Sequence, residues 1–287
     1  MTSATTPAQC RLLVAGVVRN GARRMRGDLE ALRRATAAFG EVHWRVIESD
    51  STDDTPAQLA ALQRDWPRFE YRSLGALRER HPLRTDRIAQ ARNAYLDALA
   101  ADPVLAGITH VLVADLDGVC GDLAAPSLAA CLAWPQDWSM CAANQGDYYY
   151  DVWALRHPQW CPGDAWAERQ ALLPLLGETA ADELALFARM VHIAPDRAPI
   201  EVDSAFGGLA LYRREALAAG RYAGLDGDGR EVCEHVALHA ALRAAGHRLF
   251  IHPGLINARS TRHAGRRKLG RTLRRRLWNL LRGKPWR

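Results

Sequence analysis

Blocks of β-branched and aliphatic residues alternate along this chain with stretches in which apolar residues recur every three or four positions. That alternation predicts strand–helix–strand units around a mainly parallel sheet. Residues 11–18 read as the first strand, and 23–39 as a helix with Met25, Leu29, Leu32 and Thr36 on one face and Gly40 as its stop. A second strand at 42–47 runs into Glu48-Ser49-Asp50-Ser51-Thr52-Asp53-Asp54-Thr55-Pro56. There hydroxyls and carboxylates cap the next helix, and Pro56 suits its first turn. Residues 70–73 predict a short strand, 85–101 a helix, and 109–114 a buried strand that runs straight into Asp115-Leu116-Asp117-Gly118. Further strands are expected at 139–143, 148–154, 208–212 and 248–251, with helices starting near Asp122 and spanning 182–191 and 232–245.

No internal repeat and no Ser/Gly- or Pro-rich linker divides the first 258 residues. The expected fold is α/β, a mixed, mostly parallel sheet flanked by helices over residues 1–258, followed by a basic amphipathic tail at 259–287. A composition of 48% hydrophobic and 24% charged residues over 287 positions fits a chain with a sizeable core and excludes disorder, collagen and coiled coil. No apolar run approaches the ~20 residues of a membrane span. Six cysteines without a CxxC pair, and no signal-peptide pattern in residues 1–18, read as a reduced, cytoplasmic protein. The net charge of +6 is local: residues 259–287 hold twelve Arg or Lys and no acid, leaving −6 on the rest.

In an open α/β sheet, ligands bind beyond the carboxyl ends of the strands. Three predicted strands end in polar clusters, at Arg19-Asn20, at Glu48-Ser49-Asp50 and at Asp115-Leu116-Asp117. All three are expected to open on one crevice. Two carboxylates two residues apart at a strand end suit Mg²⁺ or Mn²⁺, which favour hard oxygen ligands and bridge readily to phosphate; an isolated pair of this kind also caps helices. Arg84, Arg87 and Arg92 offer guanidinium forks for phosphate. Helical spacing keeps the three from pointing at one group, so at least one is expected to be structural.

The segment Val111–Val119 is similar to the first motif of haloacid-dehalogenase-type phosphatases, with Asp115 as nucleophile and Asp117 as acid. Against that reading, about a hundred residues precede the motif, and no Lys occurs before Lys268 to stabilise a phospho-aspartate.

From Arg19 to His252 the chain resembles nucleotide-sugar glycosyltransferases of the GT-A fold, and among them the capsule-associated α-1,3-mannosyltransferases and their bacterial relatives. The resemblance is carried by Glu48-Ser49-Asp50-Ser51-x-Asp53-x-Thr55, Arg87-Ile88-x3-Arg92-Asn93 and Asp115-Leu116-Asp117. Asp203-Ser204-Ala205-Phe206-Gly207-Gly208-Leu209-Ala210-Leu211-Tyr212 and Cys233-Glu234-His235 complete it. It implies that Arg19, Asn20, Glu48 and Asp50 surround the nucleoside and that Asp115 faces ribose or sugar and shares the metal with Asp117. His252 would complete the metal site. Gly207-Gly208 would border donor sugar and acceptor, with Asp203 near the reacting centre; a plain turn before the next strand explains the glycines as well.

Cys233-Glu234-His235 falls where inverting relatives carry a Glu-Asp pair whose second carboxylate is the base. Here His235 takes that place, which points either to an imidazole base or to retention of configuration. Tyr149, Asp151 and Trp153, on one face of the strand expected at 148–154, would line the acceptor side or belong to the core. The resemblance thus implies a Mn²⁺- or Mg²⁺-dependent hexosyltransferase. GDP-mannose is the favoured donor, UDP-hexose the other, and the acceptor is a cell-surface glycan or lipid-linked precursor.

In the tail, Leu269, Leu273, Leu277 and Leu280 or Leu281 recur at helical spacing among Arg266, Arg267, Lys268, Arg271, Arg274, Arg275 and Arg276, with Trp278 and Trp286 at the end. Such a helix suits an anionic membrane surface. The expectation is peripheral attachment at the inner face of the membrane, with nucleic acid not expected as a partner.

Overall fold

The structure, a computed structural model, describes residues 5–261, and the amphipathic tail lies almost wholly outside them. Its strands are β1 (Arg11–Val18), β2 (Glu41–Glu48), β3 (Phe69–Ser73), β4 (His110–Asp115), β5 (Met140–Gln145), β6 (Ile200–Val202), β7 (Leu209–Arg213) and β8 (Leu249–Ala258). They form one sheet in the order β3-β2-β1-β4-β7-β5-β8-β6. β1, β2, β3 and β4 run parallel, β7 is antiparallel to both neighbours, β8 is parallel to β5, and β6 is an antiparallel edge. The α/β class and the mixed, mostly parallel sheet expected from the sequence are therefore observed.

Helices α1 (Met25–Ala35), α2 (Thr55–Asp65), α3 (Leu77–Arg80), α4 (Arg84–Ala101), α5 (Ala125–Ala133), α6 (Ala165–Ala181) and α7 (Glu234–Ala244) flank the sheet. Alternate strand residues feed two separate cores. Leu12, Val14, Val46 and Leu112 pack with Leu29, Leu32 and Leu59 from α1 and α2. Leu13, Ala15, Val111 and Val113 pack with Tyr95, Leu96, Leu99 and Leu238 from α4 and α7. Because both faces are covered, the central strands read as unbroken apolar runs, which is why they were legible.

Three expectations are revised, each for a local reason. Residues 148–154 form turns instead of a strand, because the backbone is taken by other partners: Tyr150 N donates to Gln145 Oε1 at 3.3 Å, Val152 N to Tyr150 O at 2.9 Å, and Ala154 N to Asp151 Oδ1 at 3.3 Å. The helix expected at 182–191 is present in part, as a π-helical segment at Asp182–Leu186 and a 3₁₀ turn at Phe187–Arg189, but it continues the longer α6, started by Asp164, whose Oδ1 accepts from Trp166 N and Ala167 N at 2.9 and 3.0 Å. Last, β8 does not stop at residue 251. The register shifts between β5 and β8 are bridged by Asn144 Nδ2, which donates to Pro253 O at 3.1 Å and Ile193 O at 2.9 Å. Among the described residues no helix is long and apolar enough to cross a membrane.

Candidate active site

Since β2, β1 and β4 are adjacent and parallel, their carboxyl ends open on the same side. A cavity of about 830 Å³ lies there, lined at one end by Arg19, Asn20, Ser49, Asp53, Arg84 and Arg87. The loops after β1 and β2 are sewn together. Asn20, at φ 50°, accepts from Thr52 N through Oδ1 at 2.8 Å and donates its own N–H to Ser51 Oγ at 3.0 Å. Gly21 N donates to Thr55 Oγ1 at 2.8 Å, and Asp53 accepts from Ala22 N at 3.2 Å and Thr55 N at 3.0 Å.

Glu48 and Asp50 do not reach this cavity, contrary to expectation. Glu48 is buried and spent on Ser51 N at 2.9 Å and Ser73 Oγ at 2.5 Å, and Asp50 Oδ1 accepts from Arg78 N at 3.0 Å. Ser49 and Asp53 line it in their place.

Asp115 and Asp117 face the same cavity. Asp115 Oδ1 accepts from Arg92 Nη2 at 2.8 Å, while Arg92 Nε donates to Glu234 Oε1 at 2.9 Å. Arg92 is thus the structural arginine of the three, a buried cation shared by two carboxylates. Burial pushes the Asp115 carboxyl up to about 7, Arg92 opposing and the charges of Asp117 and Glu234 adding to the rise. A crowd of carboxylates held in this way is the donor set a divalent cation relieves, and its all-oxygen character suits Mg²⁺ or Mn²⁺.

The loop carrying Asp117 is fixed from below by a residue that sequence patterning missed. Buried Asp28 of α1 accepts from Gly118 N at 2.6 Å and from Cys120 N at 3.0 Å. Asp28 lies on the buried face of α1 with Met25, Leu29 and Leu32, a place where periodicity expects an apolar side chain. Gly118 sits at φ +99°, a conformation few other residues adopt.

Several expected site residues lie elsewhere. His252, three strands away from β4, packs edge-on against Trp134 with centroids 6.0 Å apart and contacts Cys131, outside the cavity. Among the described residues no cluster of three or more His, Cys, Asp or Glu has metal-holding geometry. Asp203 is exposed and lies 3.4 Å from Arg243 Nε, also outside. Gly207 and Gly208, at φ 68° and 81°, serve a tight turn: a Cβ at Gly207 would come within 2.5 Å of Ala143 O, and one at Gly208 within 2.7 Å of the Tyr150 hydroxyl. Their close approach is to the protein's own backbone and side chains. Tyr149 is wholly buried, its hydroxyl accepting from Phe206 N at 3.3 Å.

Asp151, Trp153, Phe206, Cys233, Glu234 and His235 form the other end of the cavity. Asp151 Oδ2 accepts from Gly207 N at 2.9 Å, and burial raises its carboxyl above the usual range. His235 stacks on Phe206 with centroids 3.8 Å apart, and burial together with the Arg92 charge holds it far below the usual imidazole range. The Arg92-Asn93 pair has a plain physical reason. Arg92 serves the carboxylates, and Asn93 clamps the chain at Tyr222, donating to its carbonyl at 2.9 Å and accepting from its N–H at 3.0 Å.

Comparisons with known proteins stand as follows. No protein-family profile matches the chain, and no curated protein matches it. Among solved structures it is similar to the mannosyltransferase PcManGT from Pyrobaculum calidifontis in complex with GDP-Man and Mn²⁺. Identity is 16% and the TM-score 0.49, over 90% of this chain and 59% of that one. It is also similar to glucosyl-3-phosphoglycerate synthase from Mycobacterium tuberculosis in complex with UDP, at 14% identity and TM-score 0.42, covering 88% and 70% of the two chains. For S. aureus TarS the values are 11% and 0.47, covering 84% and 57%. The chain therefore spans less than two thirds of PcManGT and TarS.

Proposed function

We propose that this protein is a metal-dependent glycosyltransferase that moves a hexose from a nucleotide sugar. The observation that carries this reading is the charge layout of the cavity. Arg19, Arg23, Arg24, Arg84 and Arg87 line it without a salt bridge to any described carboxylate, and Asp115 and Asp117 stand beside them. Guanidinium groups without a carboxylate partner, of which Arg19, Arg24 and Arg87 donate only to backbone carbonyls, suit a diphosphate that shares a divalent cation beside a carboxylate pair.

Asp115 and Asp117 would hold Mn²⁺ or Mg²⁺, which supplies Lewis-acid neutralisation of the departing diphosphate. Arg84 and Arg87, at the start of α4, and Arg19, Arg23 and Arg24, on the β1–α1 loop, would bind the phosphates and nucleoside. Glu234 is paired with Arg92, and burial suppresses the basicity of His235, so neither is set up to take a proton. That favours retention of configuration. The resemblance in the sequence favours GDP-mannose over UDP-hexose and a glycan or lipid-linked acceptor, with residues 259–287 as the membrane-attaching segment after a catalytic domain at 1–258.

The test is thermal-shift binding of a nucleotide-sugar panel with and without Mn²⁺, on wild type and Asp117→Ala. A Mn²⁺-dependent rise for one nucleotide family, absent in the variant, is expected. Shifts with BeF₃⁻ or vanadate and none with any nucleotide sugar would transfer the site to phosphatase chemistry.

A further inference from the structure

Helix α6 stands apart from the other long helices in how little of it is covered. In α1 six of eleven residues are buried, but in α6 only Ala165 and Ala181 are, the first and the last of seventeen. The helix bends at Gly177, at φ 74°, and the chain folds back on it: Arg169 Nε donates to Asp182 Oδ1 at 2.5 Å, and Arg189 Nη2 to Glu168 Oε2 at 2.6 Å. Residues 165–189 thus form a helical hairpin that packs chiefly on itself. Its sequence is nonetheless apolar, with Leu172-Leu173-Pro174-Leu175-Leu176 leading into the bend. Leu175 is 77% exposed, Leu184 54% and Leu176 47%. Large apolar side chains left in water together on one short hairpin mark an interaction surface.

The charge of the hairpin selects what covers it. Residues 164–189 carry Asp164, Glu168, Glu178, Asp182 and Glu183 against Arg169 and Arg189, a net −3. A second copy presenting the same hairpin meets like charge, and so does an anionic bilayer. The fitting partner is apolar and cationic. Residues 262–287, which lie outside the described residues, hold eleven Arg or Lys and no acid, with Leu269, Leu273 and Leu277 at helical spacing. That segment also starts in the right place. β8 runs in the direction of β4, so the chain leaves the sheet on the cavity side, where Gly146 N donates to Ala258 O at 3.0 Å. Gly146 is followed seven residues later by Trp153, whose ring packs on Trp166 of α6 with centroids 5.7 Å apart. Seven residues span at most about 25 Å, whereas the 26 residues after Thr261, even wholly helical, span about 39 Å.

We propose that the hairpin 165–189 is the docking surface for the chain's own segment 265–281, whose leucines cover Leu175, Leu176 and Leu184 and whose arginines face the hairpin's acids. The inference goes beyond the glycosyl-transfer reading and does not depend on it. Docking brings the tail to the side of Trp153, at the end of the cavity that Trp153 shares with Asp151. It also occupies the leucines that would enter a bilayer, so attachment to a membrane requires the tail to leave the hairpin first.

The experiment is a spin-label distance measurement on the full chain carrying Thr179→Cys and Thr272→Cys, the native cysteines being buried. One narrow, short distance is expected. It should be lost when Leu175→Ser and Leu184→Ser are added on the hairpin, and lost again with Leu269→Ser, Leu273→Ser and Leu277→Ser on the tail. Glu178→Lys with Glu183→Lys should broaden it by removing the charge match. A broad distribution in the doubly labelled chain, or a narrow one that survives every set of substitutions, overturns the proposal. So does a short distance in a mixture of the two singly labelled chains, which would make the occupant a second copy. A short distance formed only on vesicles of equimolar phosphatidylcholine and phosphatidylglycerol would make it the membrane. Substitutions on two separate segments keep the test decisive should one set fail to fold.

Discussion

The two ends of the cavity are built differently. At the end lined by Arg19 and Asn20, short loops after adjacent parallel strands bond mainly to each other, as Asn20 does with Ser51 and Thr52, and Gly21 with Thr55. Their backbone N–H groups are largely spent on one another's short side chains, while the arginines at this end have no ion pair with a described carboxylate. At the opposite end, Arg92, Asp151, Trp153, Phe206 and His235 arrive from distant parts of the sequence and are held by long-range contacts, Arg92 to Asp115 and Glu234, Asp151 to Gly207, and His235 on Phe206. The first end is shaped by local loop-to-loop bonds, and the second by contacts between elements far apart in the sequence.

The largest effect that tests this contrast is Arg92→Ala. Removing the shared cation strands Asp115 and Glu234 in a buried setting, a cost of about 3–5 kcal/mol. Urea unfolding should show that loss, and an effect below about 1 kcal/mol would mean the pair is solvated and the two ends are not joined by this residue.

Acid should act next, on two buried histidines that do not line the cavity. Burial holds His239 down at about 3, bracketed by the hydroxyls of Ser204 and Tyr212 at 2.8 Å each, and His110 at about 4. Both are depressed below the unfolded value of 6.5, so the folded state resists their protonation. Their stabilisation is complete above pH 6.5 and is lost as the pH falls towards 4 and 3, on the order of 4 kcal/mol for His239. Because Asp115, raised to about 7, gains stability over the same range as the pH falls, the check is melting temperature against pH for wild type and His239→Gln, and an equal acid-induced fall in both would contradict the role of His239.

Asp28→Asn sharpens the account of the metal loop. It trades a carboxylate accepting two backbone N–H groups for an amide that can satisfy only one of them well, costing about 1–2 kcal/mol. The same variant should weaken Mn²⁺ binding, measured by the metal-dependent shift in melting temperature. Smallest of all is His252→Ala. Outside the cavity, its loss should leave that metal-dependent shift intact, whereas Asp117→Ala abolishes it; a lost shift would return His252 to the metal site.

What the sequence reveals follows the same division. The strand ends at Arg19-Asn20 and Asp115-Asp117 were legible because central parallel strands are continuous apolar runs, and the topology of such sheets fixes where their ends open. Glu48 and Asp50 were misplaced by one step: the loop does face the cavity, but local hydrogen bonds decide that Ser49 and Asp53 turn inward. The strand expected at 148–154 failed because its backbone is claimed by Gln145 and Asp151, a side-chain competition that alternation does not register. Tyr149 therefore turned into the core while Asp151 and Trp153 stayed at the cavity. The role of Asp28 was invisible, since its partners lie ninety residues ahead on another element.

The stitched loops carry one more consequence. Surface loops ordinarily exchange their amide hydrogens within seconds, but Asn20, Gly21, Ala22, Ser51, Thr52 and Thr55 all donate their N–H to a side-chain oxygen. In a deuterium-exchange map these amides should form a slow island in a fast-exchanging rim, with Asn20, Gly21, Ala22 and Thr52 released by openings that part the loop after β1 from the loop after β2 and Ser51 and Thr55 by local fraying.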